Sequence, residues 1–428
     1  MNWWHDPLYA AAELMMAYAF YYPLLMAWLW MSGATIYYFR REHHRARGPQ
    51  NPPPLDVQPP VSIIIPCFNE EDTCRESIEA AVRQHYPAFE VIAVNDGSSD
   101  GTGQVLDEMA ELYPMLRVVH LAENQGKSMA LRMAAMLSPH EYLVCIDADG
   151  VLDRNATTWL MSQLLDNARV GAVSGNPRVR NRSTLLGRIQ VGEFSAIIGM
   201  LKRTQRIWGR LFTVSGAVSA YRKSALQRVG YWSLDMVTED IDISWKLQLD
   251  SWDVRFEPNA LCWLLIPETL KGLWGQRLRW AQGGAEVLIR HYGFAKYWRS
   301  RRMWPIYMEY FASVLWAYVI AVIAGLWVAR HFISMPAPLY VDSLLFSWYA
   351  TMLGITCLLQ FAVSLLIDSR YEKGLGRFYY WLVWYPVVYW TINVFTMLVG
   401  YPKAYWRMRK RGGERARWRS PDRGLRPV

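Results

Sequence analysis

Apolar and polar positions along the chain fall into two regimes. From Val61 to about Arg302, short apolar runs alternate with stretches of helical spacing. In order they are "VSIIIPCF" from Val61, a helix from about Glu70 to Gln84, "FEVIAVND" from Phe89, a helix through Val105–Tyr113, "RVVHLA" from Arg117, a helix through Lys127–Leu137 and "EYLVCIDAD" from Glu141. Val- and Ile-rich runs of strand length leave no polar face, so each strand must be covered on both sides, as in a parallel sheet flanked by helices. The block is expected to be a doubly wound α/β domain, with ligands bound beyond the carboxyl ends of its strands. Those ends are "NDGSSDGT" (Asn95–Thr102) and "DADG" (Asp147–Gly150).

Outside this block the apolar runs are longer. Leu14–Phe39 runs 26 residues without a charge, and uncharged runs recur at Tyr310–Ala329, Ser343–Ile367 and Phe378–Pro402. Each meets the roughly 20 residues a membrane helix needs. The first lacks a basic leader and exceeds the core of a signal peptide, so it reads as an anchor. The expected organisation is an anchor over 1–39, a basic flank and Pro-rich linker over 40–60, and the α/β block over 61–302 with interfacial helices at its end. Membrane helices then occupy 303–402 and a basic tail 403–428.

"RREHHRAR" (Arg40–Arg47) marks a cytoplasmic flank, which puts the α/β block in the cytoplasm. Three full crossings after Arg302 would then carry the tail outside, against the same rule. One resolution is that Phe378–Pro402, interrupted by Pro386, enters the membrane region and returns, as buried non-spanning backbone can.

Composition agrees with a membrane protein, at 52% hydrophobic and 14% aromatic residues. The net charge of +9 suggests nucleic acid until it is located. Ten Lys and Arg against Glu414 and Asp422 lie from Lys403 onward, which accounts for nearly all of it. A basic tail after an apolar run fits an anionic lipid surface rather than nucleic acid. The five Cys (67, 74, 145, 262, 357) form no CxxC pair and read as reduced thiols.

Four places carry candidate chemistry. Asp96 ends a strand before a Gly/Ser turn, suited to a base or ribose or, more simply, to a helix cap. Asp147 and Asp149 can aim two carboxylates into one crevice, which implies a shared divalent cation, Mg²⁺ or Mn²⁺. Lys127 follows Gly126 in a string that fails as a P-loop, because Leu121 stands where the first Gly is required; it reads as a phosphate or base contact or as a helix-start Lys. Glu239, Asp240 and Asp242 crowd a helix start, and Asp240 is the candidate base to deprotonate a hydroxyl.

Taken in order, Asp96, the Asp147/Asp149 pair, Thr238-Glu239-Asp240 and the QxxRW of Gln276, Arg279 and Trp280 resemble the four-part signature of processive family 2 glycosyltransferases, which include cellulose, chitin and hyaluronan synthases. The resemblance covers about Val61 to Gly284 and implies a GT-A type domain flanked by membrane helices. Longer phrases, such as "PETLKGLWGQRLRWAQGGAEV", are similar to the branch that polymerises N-acetylglucosamine through β-1,6 links. The implied partners are UDP-N-acetylglucosamine, the growing polysaccharide, the lipid bilayer of a bacterial inner membrane, cyclic di-GMP and a small membrane subunit. Arg41-x-x-x-Arg45 has the spacing of part of a cyclic-dinucleotide motif, but reads as a topogenic flank.

The resemblance assigns Asp96, Lys127, Asp147, Asp149, Gln276 and Arg279 to the donor, with Asp149 and Asp147 as metal ligands. It assigns Ser215, Gly216, Glu239 and Trp280 to the acceptor and catalysis to Asp240. Gln276, Arg279 and Trp280 share a helix face, from which Arg277 is expected to point away as a membrane-surface residue. Rival readings are another β-glycan synthase, a transferase adding one sugar to a lipid, and a polymer channel or scaffold whose transferase domain is inactive.

Overall fold

The structure, a computed structural model, describes residues 7–43, 48–343, 348–410 and 416. Arg45 and the basic tail beyond Lys410, Ala416 apart, lie outside the described residues. The first helix, α1 (Pro7–Tyr37), continues as a π-helical turn over Tyr38–His43. The α/β block follows with β1 (Val61–Cys67), α2 (Cys74–Val82), β2 (Phe89–Asn95), α3 (Thr102–Leu112), β3 (Leu116–His120), α4 (Lys127–Leu137), β4 (Tyr142–Ile146), β5 (Val151–Leu152), α5 (Ala156–Leu165) and β6 (Val170–Val179). A helical excursion, α6 (Leu185–Glu193) and α7 (Leu201–Ile207), precedes β7 (Val218–Arg222), α8 (Lys223–Arg228), α9 (Glu239–Leu249), β8 (Asp253–Leu264) and α10 (Leu270–His291).

The strands form one sheet in the order β3-β2-β1-β4-β7-β6-β8-β5. The continuous apolar runs are buried as their composition requires: every residue of β1 and of β6 is buried. The sheet is mixed, however, not wholly parallel. The first four strands in chain order pair in parallel, but β7 runs antiparallel to both β4 and β6. A central antiparallel strand is covered on both faces just as a parallel one is, so apolar patterning could not reveal its direction. The reversal has a consequence for the site. Ile146 at the end of β4 pairs with Val218 at the start of β7, so Ser215 and Gly216 arrive beside Asp147.

Beyond α10 come α11 (Trp304–Ala329), α12 (Trp348–Asp368), a 3-10 segment over Leu375–Trp384 and α13 (Tyr385–Lys410). Among the described residues, three helical stretches, 7–43, 298–329 and 348–368, are long and apolar enough to cross a membrane. The remaining apolar stretch is bent by 68° between 375–384 and 388–410. Both its ends meet the α/β block: the Arg182 guanidinium lies 5.2 Å over the Phe378 ring, and Arg407 Nη1 lies 2.7 Å from Glu286 on α10, while at the bend Tyr385 Oη donates to Glu193 at 3.2 Å.

The block is joined to the membrane helices through α7. A Cβ on Gly33 of α1 would lie 2.5 Å from Thr204, and Thr204 Oγ1 donates to the Trp30 carbonyl at 2.8 Å. Below them a buried ion-pair network links Arg203 to Glu42 and Asp368, and Arg178 to Asp368 and Glu372. Charges this buried persist only when paired, so the network fixes where the sheet sits beneath the helices.

Candidate active site

The carboxyl end of β4 delivers Asp147 and Asp149, and the start of α9 delivers Glu239 and Asp240, to one cavity of about 1630 Å³. Lys127, the first residue of α4, sits between the two sets. Its Nζ lies 2.6 Å from Asp147 Oδ1 and 2.8 Å from Glu239 Oε1, and donates to the Gly216 carbonyl at 3.3 Å. The Gly216 N–H donates to Asp240 Oδ2 at 3.2 Å. A side chain at Gly216 would crowd that carboxylate, since its Cβ would lie 3.0 Å from the same oxygen. Ser215 is buried and its N–H donates to Ser174 Oγ at 2.9 Å.

These contacts separate the two adjacent carboxylates of α9. Burial pushes Asp240 up, Glu239 beside it pushes further, and Lys127, the Ile241 N–H and Arg279 pull back, leaving the carboxyl at about 6. Burial also works against the charge on Glu239, yet Lys127 holds it below the ordinary value. Lys127 itself would be lowered by burial, but Asp147 and Glu239 outweigh that and raise it. A carboxylate pair driven apart in this way divides the labour: Glu239 stays ionised while Asp240 is poised to take a proton near neutral pH.

Asp96 behaves differently from the other predicted site residues. It is 1% exposed, and its two oxygens accept the N–H groups of Gln125 and Gly126, each at 2.8 Å. Gly126, whose N–H donates to the carboxylate, adopts φ of +90°, which residues with a side chain rarely adopt. Asp96 thus holds the loop that lines the cavity through Glu123, Asn124 and Gln125.

Gln276, Arg279 and Trp280 all line the cavity from α10. Gln276 Oε1 is buried without a hydrogen-bond partner. The membrane-surface reading of Arg277 is overturned. Arg277 is buried, pairs with Glu193 and lies over the Trp280 ring at 4.2 Å. The physical reason is helical spacing: residues 277 and 280 are three apart and therefore share a face. Arg277 is the clamp that orients Trp280.

A profile described as "Glycosyltransferase like family 2" matches residues 59–283, which include all of these side chains. The chain belongs to this family. Curated relatives include the poly-beta-1,6-N-acetyl-D-glucosamine synthase of Staphylococcus epidermidis, 39% identical over 417 residues, covering 94% of this chain and 97% of the relative. The synthase of the same name from Staphylococcus aureus (strain MSSA476) is 38% identical with the same coverages. Among solved structures, the mannosyltransferase PcManGT from Pyrobaculum calidifontis, in complex with GDP-Man and Mn²⁺, superposes with a TM-score of 0.65 at 21% identity. It covers 93% of this chain and 99% of its own, a likeness of fold.

Among the described residues no group of three or more His, Cys, Asp or Glu could hold a metal ion by itself. Asp147 and Asp149 nonetheless line one cavity wall. Two carboxylates completed by substrate phosphates are a usual way to hold Mg²⁺, which seldom has a cage made only of protein, and Mn²⁺ suits the same oxygen ligands. The pair fits such an ion.

Several cavity residues carried no motif. Lys202 on α7 is buried, donates to Ser174 Oγ at 2.6 Å and is pushed by burial down to about 7. Glu309 on α11 accepts from Trp30 Nε1 at 2.8 Å and Gln205 Nε2 at 3.2 Å. A charge on an apolar span was the one signal available for Glu309. Lys202 gave none, because a lone lysine on a helix is usually a solvated residue.

Proposed function

We propose that this chain is a membrane-embedded, processive, inverting glycosyltransferase that polymerises N-acetylglucosamine from UDP-N-acetylglucosamine into β-1,6-linked polysaccharide. The reaction forms a bond from the acceptor's 6-oxygen to the donor's anomeric carbon. The bond from that carbon to the diphosphate breaks, and its electron pair leaves with UDP. Asp240 takes the hydroxyl proton, Trp280 supports the acceptor ring, and Arg279 faces the charge developing on the diphosphate. Asp147 and Asp149 would hold Mg²⁺ or Mn²⁺, which when bound supplies further stabilisation of that charge. Near-complete alignment with synthases of this name supports the sugar and the linkage.

The observation that carries the polymer reading is the shape of the cavity. From the carboxylates it continues past Trp280 to Trp30 of α1, Trp316 of α11, Gln360 of α12 and Asn393 of α13. A growing chain would be exported through it, and Trp30, Trp316, Gln360 and Asn393 offer the aromatic and amide groups that sugars bind and that a lipid acceptor does not need. In this reading α11 leaves the cytoplasmic side, α12 returns, and the bent segment stays, since both its ends touch the catalytic block. The tail then lies on the cytoplasmic face of the inner membrane, as the positive-inside rule asks. A Cys placed at Lys410 is expected to react with an impermeant reagent from the catalytic side alone; labelling from the opposite side sinks the non-spanning segment. The outward apolar faces of α1 and α12, with Leu14 72% and Leu366 76% exposed, suit lipid or the small membrane partner, through which cyclic di-GMP would act.

Membranes holding the protein, given UDP-N-acetylglucosamine and Mg²⁺ or Mn²⁺, are expected to make a polymer cleaved by a β-1,6-hexosaminidase and to stop on chelation. Polymer from UDP-glucose and none from UDP-N-acetylglucosamine would overturn the sugar assignment.

A further inference from the structure

The stretch of α10 beyond Trp280, "AQGGAEV", is pressed against the loop that carries the catalytic base. A Cβ on Gly283 would lie 2.1 Å from Thr238 Oγ1, so only glycine admits this approach. One turn on, Glu286 is 0% exposed and accepts the Val237 N–H at 3.0 Å, three residues before Asp240. The same carboxylate accepts from Gln282 Nε2 at 3.0 Å and pairs with Arg407 Nη1 at 2.7 Å, near the end of α13. Gly400 of α13 lies close enough to α10 that its Cβ would meet Ala281 at 3.0 Å. Arg407 itself lines the cavity.

We infer that Glu286 and Arg407 are positioning residues that fix Asp240 relative to Trp280, so that the first part of the basic C-terminal segment serves catalysis rather than lipid binding. Gln276, Arg279, Trp280 and Glu286 stand on one rigid helix. The Val237 hydrogen bond therefore sets the distance between base and acceptor floor. Arg407 supplies the cation partner that a carboxylate at this depth requires. The inference rests on Asp240 as the base.

The test uses the full chain in membranes or detergent, with Arg407→Ala, Arg407→Lys, Glu286→Gln and the double variant Glu286→Gln/Arg407→Ala. Arg407→Ala and Glu286→Gln are each expected to lower kcat about tenfold with the KM for UDP-N-acetylglucosamine within about twofold, since the geometry of the base shifts but the donor site does not. Arg407→Lys is expected to recover most of the rate, and the double variant to be no worse than either single one. Hydrogen exchange, which needs no turnover, is expected to be faster in Arg407→Ala over residues 234–241 and unchanged in β1, β2 and β4. An unchanged kcat, a joint loss of kcat and donor binding, or unchanged exchange at 234–241 overturns the inference. Faster exchange there in a protein whose wild type makes no polymer upholds the tie from Arg407 through Glu286 to Val237 but overturns its catalytic role, because the transferase reading fails with it.

Discussion

Asp240→Asn is expected to lower turnover by about 10³-fold while UDP binding stays within about threefold of wild type, because general-base catalysis contributes roughly 10² to 10⁴. The substitution keeps the volume and one of the two N–H contacts, from Gly216 or Ile241, but removes the carboxylate basicity that receives the proton. That rate loss corresponds to about 4 kcal/mol of barrier. Asp240 is held apart from Asp147, which Lys127 joins to Glu239 instead. Loss of UDP affinity together with rate would transfer Asp240 to the metal shell. The same residue sets a pH dependence. A base with a carboxyl at about 6 works only when deprotonated, so kcat is expected to fall as pH drops through about 6 and to level off above it. A flat profile down to about 4.5, near where an ordinary carboxyl titrates, would remove Asp240 from the role.

Lys127→Met is expected to lower kcat/KM by about 10² to 10³, through weaker donor binding as well as slower chemistry, because breaking one member of a buried ion cluster costs roughly 3–5 kcal/mol. Lys127 is the shared cation of the site: Asp147, Glu239 and the Gly216 carbonyl all converge on its Nζ. Without it Asp147 and Glu239 lose the ammonium that bridges them, and the diphosphate brings further negative charge. Titration with UDP and donor kinetics measure both halves of the effect. A variant within about threefold of wild type would return Lys127 to the plainer role of a helix-start residue, which acts by a few tenths to about 1 kcal/mol.

Much of this was legible because it is local. A run such as "VSIIIPCF" cannot be anything but covered on both faces, and Leu14–Phe39 cannot rest in water as an isolated helix. Asp147 and Asp149 lie two residues apart and Gln276, Arg279 and Trp280 within one helical turn, so their convergence follows from strand and helix periods. The same local logic, applied to one pair too few, misread Arg277, which shares its face with Trp280. The bent segment before Lys410 was legible in part, because Pro386 and the charge rule pointed to an interruption, while the contacts that hold its two ends to the catalytic block did not show.

The sequence by itself determined the first four strands, the apolar spans and the carboxylates that follow a strand or open a helix, since each depends on period and composition within a few residues. Only the tertiary structure decided the direction of β7, the meeting of Lys127 with Asp147 and Glu239, the withdrawal of Asp96 into a loop-holding role and the tie from Arg407 through Glu286 to Val237. Those contacts join residues up to 170 positions apart, as Val237 and Arg407 are. They are selected by what packs, pairs and satisfies buried polar groups once the chain has closed, and no pattern along the chain records that choice.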